Sequence, residues 1–169
     1  MKIAITTETT CDLSKELLER FDIHEIPLVV TLGDRTGFDG EITPEDIFEY
    51  AKNHKDLPKT GAVNDFRYQE FFKDILTRYD AIVHIGLSSG LSSSVDSANR
   101  VAKEMENVYV IDSLNLSTGI GLSCIYAAVL AQKGKNPQEI VELVEKRKPN
   151  AQASFYVETI DYLYKGGRC

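Results

Sequence analysis

The sequence lacks paired cysteines, dense basic clusters and long apolar runs. Its three cysteines, Cys11, Cys124 and Cys169, lie far apart and form no C-x-x-C pair. This spacing argues against a disulfide framework or a cysteine zinc site, and it favours reduced thiols in a cytoplasmic protein. The net charge of −7 disfavours nucleic acid as a partner, because nucleic-acid binding needs Lys and Arg side chains that neutralise phosphates.

Signatures of membranes, nucleotides and metals are missing as well. The most apolar run, residues 120–131, is interrupted by Ser123 and is too short to span a bilayer, so we expect no stable membrane insertion. The sequence has neither G-x-x-x-x-G-K-S/T nor a G-x-G-x-x-G that follows a strand pattern, and no cofactor is predicted. Asp39 and Glu41 have no metal-specific spacing, and no metal site is predicted.

The sequence does contain a regular alternation of strand and helix patterns. Apolar, β-prone runs occupy residues 2–6, 25–30, 81–87, 107–112 and 153–158. Helical patterns follow, among them three at about 92–105, 116–133 and 137–147, while residues 31–41 and 55–63 are predicted as loops. Helix caps are predicted at Asp12, Thr43, Asn64 and Asn136. This alternation predicts an α/β fold with a parallel, Rossmann-like sheet.

A serine-rich segment follows the third strand pattern. Residues 86–90, GLSSG, satisfy G-x-S-x-G, the nucleophile-elbow pattern of serine hydrolases, with Ser88 as the nucleophile. In an α/β-hydrolase the catalytic histidine comes after the serine. The histidines here all precede it: His24, His54 and His84. A hydrolase that uses Ser88 would need a histidine from outside this chain and is the weaker alternative.

Anion binding is the stronger interpretation of the same segment. Ser88, Ser89 and Ser92 lie where a predicted strand ends and a helix begins, and the N-terminus of a helix attracts phosphate or carboxylate. Gly90 lets the backbone approach a ligand. A simple helix cap by Ser92 explains the residue equally well at this point. Two other polar turns, residues 58–61 and the hydroxyl-rich segment around Thr10, are expected to join this one in a single pocket.

Six ordered segments resemble the DegV family of bacterial fatty-acid-binding proteins. The segments together span essentially the whole sequence: IAITTETTCDL, DGEITPEDIFEY, LPKTGAV, SSGLSSSVDSA, VIDSLNLSTGIGL and ETIDYLYKGGR. The resemblance implies an N-terminal α/β fatty-acid-binding domain over residues 1–158. Residues 159–169 would then begin the connection to a second domain that this chain lacks.

The resemblance also implies a ligand and a site. Thr60 and Ser92 are expected to hold the carboxylate of a long-chain fatty acid, which a partner fatty acid kinase would phosphorylate. Gly61 stands where the family has serine, so one hydroxyl donor is lost. Further candidates at the site are Gly61, Ser88, Ser89, Gly90, Thr10 and Arg168. The function is therefore predicted to be lipid binding rather than catalysis, with a hydrolase or a regulatory domain for another small anion as the alternatives.

Overall fold

The structure, a computed structural model, describes residues 1–167. Its strands and helices are, in chain order, β1 (Ile3–Glu8), α1 (Lys15–Phe21), β2 (Ile23–Ile26), β3 (Val29–Leu32), β4 (Arg35–Phe38), α2 (Pro44–Asn53), β5 (Lys59–Gly61), α3 (Asp65–Leu76), β6 (Ala81–Gly86), α4 (Ser94–Ala102), β7 (Val108–Asp112), α5 (Thr118–Gln132), α6 (Pro137–Arg147) and α7 (Asp161–Lys165). The described residues form two compact units. The first combines residues 1–26 and 63–153, and the second combines residues 27–62 with the described residues from 154 onward.

The first unit contains the predicted parallel sheet. Its four strands lie in the order β2-β1-β6-β7, and every neighbouring pair is parallel. Helices α3 and α4 contact each other and β6, while α5 and α6 contact each other and the same strand. Strand β6 is accordingly buried along its whole length, as expected for a parallel strand covered on both faces. The α/β prediction is confirmed.

Side-chain alternation along β6 explains why helices pack on both faces of the sheet. Val83 and Ile85 belong to an apolar core with Cys124 and Ala127 of α5. His84, between them in the chain, faces the rings of Tyr68 and Phe72 on α3. Successive side chains of a strand point to opposite faces of the sheet, so β6 contributes buried side chains to both faces. Helix α5 also contacts β1, β2 and α1, so it is buried on more than one side.

Three of the four predicted helix caps are present. The Thr43 side chain accepts the Asp46 N–H at 3.3 Å, the Asn64 side chain accepts the Arg67 N–H at 3.0 Å, and the Asn136 side chain accepts the Glu139 N–H at 2.9 Å. The prediction for Asp12 is wrong. Asp12 ends a 3₁₀ turn with φ of 51°, and Ser14 caps α1 instead.

The second unit contains a small antiparallel sheet in the order β4-β3-β5. The predicted single strand over residues 25–30 is wrong, because Pro27, which has no N–H for a ladder, separates β2 from β3. Residues 31–41, predicted as a loop, contain the end of β3, the whole of β4 and the hairpin turn between them, which includes Gly33 with φ of 60°. Part of the predicted loop at 55–63 is β5, which pairs with β3.

The predicted strand over residues 153–158 is also wrong. These residues form no ladder with any described strand, and Phe155 and Tyr156 are 65% and 89% exposed. Aromatic and β-branched residues favour a strand only where a neighbouring strand and a packed face receive them. The predicted domain boundary between residues 158 and 159 stays a prediction.

A buried carboxylate joins β1 to β6 and α3. Glu8, the last residue of β1, is fully buried and accepts hydrogen bonds from the Tyr68 hydroxyl and, at 2.9 Å, from the Leu87 N–H. Nε2 of His84 lies 3.3 Å from Glu8 Oε1, and the other ring nitrogen of His84 lies 2.9 Å from the Thr6 hydroxyl. Burial alone would raise the pKa of the Glu8 carboxyl, but the charge of His84 and these hydrogen bonds outweigh burial and hold the pKa below its ordinary value.

We expect Gly86→Ala to destabilise the protein by about 1–3 kcal/mol, as overpacking does in well-packed interiors. A Cβ atom at Gly86 would lie 2.9 Å from Val95 Cγ2, which is too close, and 3.1 Å from Val95 Cβ, which is a tight contact. Urea unfolding followed by far-UV circular dichroism measures the change. The matched control is Gly61→Ala, whose Cβ would make an ordinary 3.5 Å contact with Val29. Equal losses in the two variants would contradict the close packing of α4 against the end of β6.

We expect Glu8→Gln to lower the free energy of unfolding by about 1.5–3 kcal/mol at neutral pH, since a hydrogen-bonded charge is lost. The folded pKa of Glu8 lies below its ordinary value of 4.5. The stabilisation is therefore complete above that value and is lost as the pH falls through the folded pKa. The difference in the free energy of unfolding between wild type and variant should narrow in acid, as measured by urea unfolding at several pH values. Exposed Glu104→Gln is the control, and a gap independent of pH would refute an ionised Glu8.

Candidate functional site

Three turns meet at the carboxyl edge of the parallel sheet. They follow β1, β6 and β7 and comprise residues 9–14, 87–93 and 113–117. Backbone hydrogen bonds tie them together: the Ser117 N–H donates to the Thr10 carbonyl and the Ser88 N–H to the Asn115 carbonyl, both at 3.1 Å. Ligands of open α/β sheets bind outside this edge. Two of the three turns expected to form one pocket are here, together with residues 113–117. Residues 58–61 belong to the second unit, and their part in the pocket stays a prediction.

The first half of the β6–α4 turn is bonded internally. The Ser88 hydroxyl accepts the Gly90 N–H at 3.2 Å, and the Ser89 N–H donates to the Asp112 carboxylate at 3.3 Å. Both N–H groups are therefore already used. The prediction that Ser88, Ser89 and Gly90 directly cradle an anion remains untested, but these contacts give all three a role in shaping the turn.

Ser88 also lacks the partner that a hydrolase nucleophile needs. His84 is fully buried and its ring nitrogens face Thr6 and Glu8. His24 contacts the Tyr79 hydroxyl, and His54 contacts a backbone carbonyl of its own helix. Among residues 1–167, no histidine is hydrogen-bonded to Ser88, which agrees with the order of these residues along the chain.

The Ser92 side chain is hydrogen-bonded to the start of α4. Its Oγ accepts the Ser94 N–H at 3.2 Å and lies 3.0 Å from the Ser94 Oγ. The capping interpretation of Ser92 is thus partly right, although the formal cap position is Ser93, whose side chain makes no capping bond. Ser92 is half-buried, so its hydroxyl is within reach of a ligand at the sheet edge.

Thr10 is the second hydroxyl of interest at this edge. Its Oγ1 is buried and has no hydrogen-bond partner in the part of the chain that the structure describes. A buried hydroxyl without a partner is costly, and a ligand oxygen or a water molecule at the edge would satisfy it. Thr10 was among the candidates from the sequence, and this observation strengthens its position.

Glu8, by contrast, does not line the pocket. The structure buries its carboxylate beneath the turn with Tyr68 and His84. Burial, followed by the neighbouring charge of Glu8, raises the pKa of Tyr68 well above its ordinary value, so the phenol stays protonated. Neither the role of Tyr68 nor that of Ser94, which is also fully buried, could be found from the spacing of motifs.

Thr60 and Gly61 lie in the second unit, on β5. Thr60 pairs with Val30 of β3, and its side chain is exposed. It lines an open groove of about 600 Å³ together with residues that are mostly apolar, namely Ile47, Phe48, Ala51, Leu57, Pro58, Lys59, Tyr162, Lys165 and Gly166. Gly61 pairs with Val29.

Arg168, the remaining candidate, lies outside the described residues. Residues 1–167 contain no cluster of three or more His, Cys, Asp or Glu side chains suited to a metal ion. None of the described helices combines the length and the apolar character needed to cross a bilayer.

Comparison with known proteins gives one family. The family model described as an uncharacterised protein of the DegV family matches residues 2–169. The fatty acid-binding protein of Thermotoga maritima is 34% identical over 99% of this chain and 61% of its own length. The chain thus spans about three fifths of the length of this relative.

Solved structures agree. A fatty-acid-binding DegV family protein from Thermus thermophilus superposes with a TM-score of 0.89 at 28% identity, over 99% of this chain and 61% of that one. DegV from Bacillus subtilis, described as a fatty acid binding protein, superposes with a TM-score of 0.87 at 30% identity and the same coverage. From its sequence, its parallel sheet and these matches, the chain belongs to the DegV family.

Proposed function

We propose that the protein binds a long-chain fatty acid, with the carboxylate held at the β6–α4 turn by Ser92. The observation that carries the proposal is the half-buried Ser92 hydroxyl at the start of α4, in a chain similar to proteins named as fatty-acid-binding. Thr60 is proposed as a second carboxylate donor on the strength of the family resemblance. The role is binding rather than catalysis, in the cytoplasm.

The chemistry of the turn supports a carboxylate. The first N–H groups of a helix have no partners within the helix, and the helix dipole adds partial positive charge there. The Ser92 hydroxyl and the unpaired Thr10 hydroxyl can add two donors. Hydrogen bonds to an ionised carboxylate are about twice as strong as neutral ones, so this arrangement can compensate for the loss of hydration.

The acyl chain would supply most of the binding free energy. Burying about fourteen methylene groups at roughly 0.8 kcal/mol each gives on the order of 11 kcal/mol before the entropic cost of association. The carboxylate cannot be buried unpaired, because an uncompensated charge in an apolar environment is very costly. The tail would therefore provide the affinity, and the hydroxyls at the turn would offset the cost of desolvating the carboxylate.

We further propose that the protein presents the bound carboxylate to a fatty acid kinase. A carboxylate at a strand-to-helix turn lies at an edge of the sheet, where a second protein can reach it, whereas its tail is covered. Transfer of the γ-phosphoryl group of ATP to a carboxylate oxygen would give an acyl phosphate and ADP. The kinase would supply the catalytic groups.

We expect Ser92→Ala to weaken fatty acid binding about ten- to hundredfold, the equivalent of one hydrogen bond to a charged group. Titration of palmitate into the purified protein, from which native lipid has been removed, measures the dissociation constant. Ser93→Ala is the matched control, because the neighbouring Ser93 is exposed and makes no capping bond. Thr60→Val should weaken palmitate binding by a similar factor if Thr60 is the second donor.

Other outcomes separate the alternatives. Unchanged palmitate affinity in Ser92→Ala would refute the proposed site. Mass spectrometry of the denatured protein, purified from its native cells, should release a long-chain fatty acid, and a small polar or phosphorylated anion would instead favour a regulatory domain. Labelling of Ser88 by a fluorophosphonate would favour the hydrolase.

With a fatty acid kinase and ATP, we expect the loaded protein to yield an acyl phosphate, which hydroxylamine traps as a hydroxamate. The carboxylate must be exposed to the kinase at the turn, so Ser92→Ala loaded to the same extent should give a slower reaction than Ser93→Ala. Formation of hydroxamate without the kinase would contradict a carrier role. Its complete absence with the kinases of the native organism would contradict presentation.

A further inference from the structure

A fully buried serine, Ser94, connects the candidate donor Ser92 to the segment that leads into α3. The Ser94 Oγ lies 3.0 Å from the Ser92 Oγ and accepts the Val63 N–H at 3.1 Å. The Ser94 N–H donates to the Ser92 Oγ at 3.2 Å. Ser94 and Val63 are both fully buried, so bulk water does not compete for the bond between them. Ser94 is therefore a contact through which the interior of the protein reaches the Ser92 hydroxyl.

The donors and acceptors around these two hydroxyls can be counted. A backbone N–H can only donate, and a serine hydroxyl has one hydrogen and two acceptor positions. The Val63 N–H fills one acceptor position of Ser94, and the Ser94 N–H fills one acceptor position of Ser92. One hydrogen lies between the two serine oxygens, and in the free protein either hydroxyl can supply it.

A carboxylate bound at Ser92 would remove this freedom. An ionised carboxylate has no hydrogen and can only accept, so the ligand takes the single hydrogen of the Ser92 hydroxyl. The hydrogen between the two serine oxygens must then come from Ser94. The bound state has one order of donation, from the Val63 N–H to Ser94, from Ser94 to Ser92, and from Ser92 to the ligand. Ser94 fills both acceptor positions of Ser92, and the Ser92 hydrogen points away from Ser94.

This order strengthens Ser92 as a donor. In a chain of hydrogen bonds each bond polarises the next, by about 10–30% per bond. A hydroxyl that accepts two hydrogen bonds is also held in one orientation, so it loses less rotational freedom when the ligand binds. Without the Ser94 hydroxyl, Ser92 would keep only the Ser94 N–H, and its own hydrogen would be free to turn away from the ligand.

We propose that Ser94 is a positioning residue of the carboxylate site: its hydroxyl, held by the Val63 N–H, donates to Ser92 and directs the Ser92 hydrogen to the ligand. The inference rests on the proposed function, since it assigns Ser92 to the carboxylate. Because Ser94 is fully buried, it acts through Ser92 and does not itself bind the fatty acid.

We expect Ser94→Ala to bind palmitate about three- to tenfold more weakly than wild type, the equivalent of one hydrogen bond. The backbone N–H of residue 94 still donates to Ser92 in this variant. Ser94→Thr retains the hydroxyl and should bind palmitate within about twofold of wild type, whereas a loss equal to that of Ser94→Ala would contradict a role of the hydroxyl. Isothermal titration calorimetry of the lipid-free proteins measures the affinities, and urea unfolding verifies that each variant is folded.

The same substitution in a Ser92→Ala background tests whether Ser94 acts through Ser92. There Ser94→Ala should cause no further loss of palmitate affinity, because no Ser92 hydroxyl remains to be oriented. Two residues that act through one hydrogen bond are not additive in such a cycle. A merely structural role of Ser94 would lower the affinity by the same factor in both backgrounds, and that outcome would overturn the inference.

The matched control is Ser97→Ala. Ser97 is also a buried serine of α4, but its hydroxyl accepts from Arg100 at 2.9 Å, so its palmitate affinity should equal that of wild type. If Ser94→Ala does not fold, Ser94→Cys replaces it, because a thiol is similar in size but a weaker donor and should also weaken binding. If wild type binds palmitate and the folded variants without the Ser94 hydroxyl bind it equally well, this inference alone fails. If wild type binds no palmitate, the proposed function fails with it.

Discussion

The buried carboxylate of Glu8 is the constraint on which the first unit depends. Removing a charged carboxylate from water costs several kcal/mol, which only well-placed partners can offset. Here the partners come from three separate places: α3 through Tyr68, β6 through His84, and the start of the β6–α4 turn through the Leu87 N–H. Because each must occupy one position to reach Glu8, the carboxylate fixes where β1 ends relative to α3 and where the turn begins.

The sequence was sufficient where the information is local or periodic. The parallel sheet follows from the alternation of strand and helix patterns, and Thr43, Asn64 and Asn136 cap helices because capping depends on residues three positions apart. The errors concern contacts between distant residues. Residues 153–158 have strand composition, but no strand among residues 1–167 pairs with them. Nothing near Glu8 in the chain indicates that Tyr68 and His84 will enclose it. Ser92 is predicted from a motif, whereas the buried contacts of Ser94, two residues later, follow only from the fold.

The proposed carboxylate site is built on hydroxyls, which would suit the release of a ligand. Residues 86–94 contain neither Lys nor Arg, so the turn offers an anion dipoles and hydrogen bonds rather than a full countercharge. A buried ion pair would hold the carboxylate strongly and would leave a costly unpaired cation after release. Neutral hydroxyls can return to one another when the ligand leaves, as Ser92 and Ser94 do in this structure. Under the proposed function, affinity would depend on the acyl chain, while the carboxylate would remain exchangeable and open to a second protein.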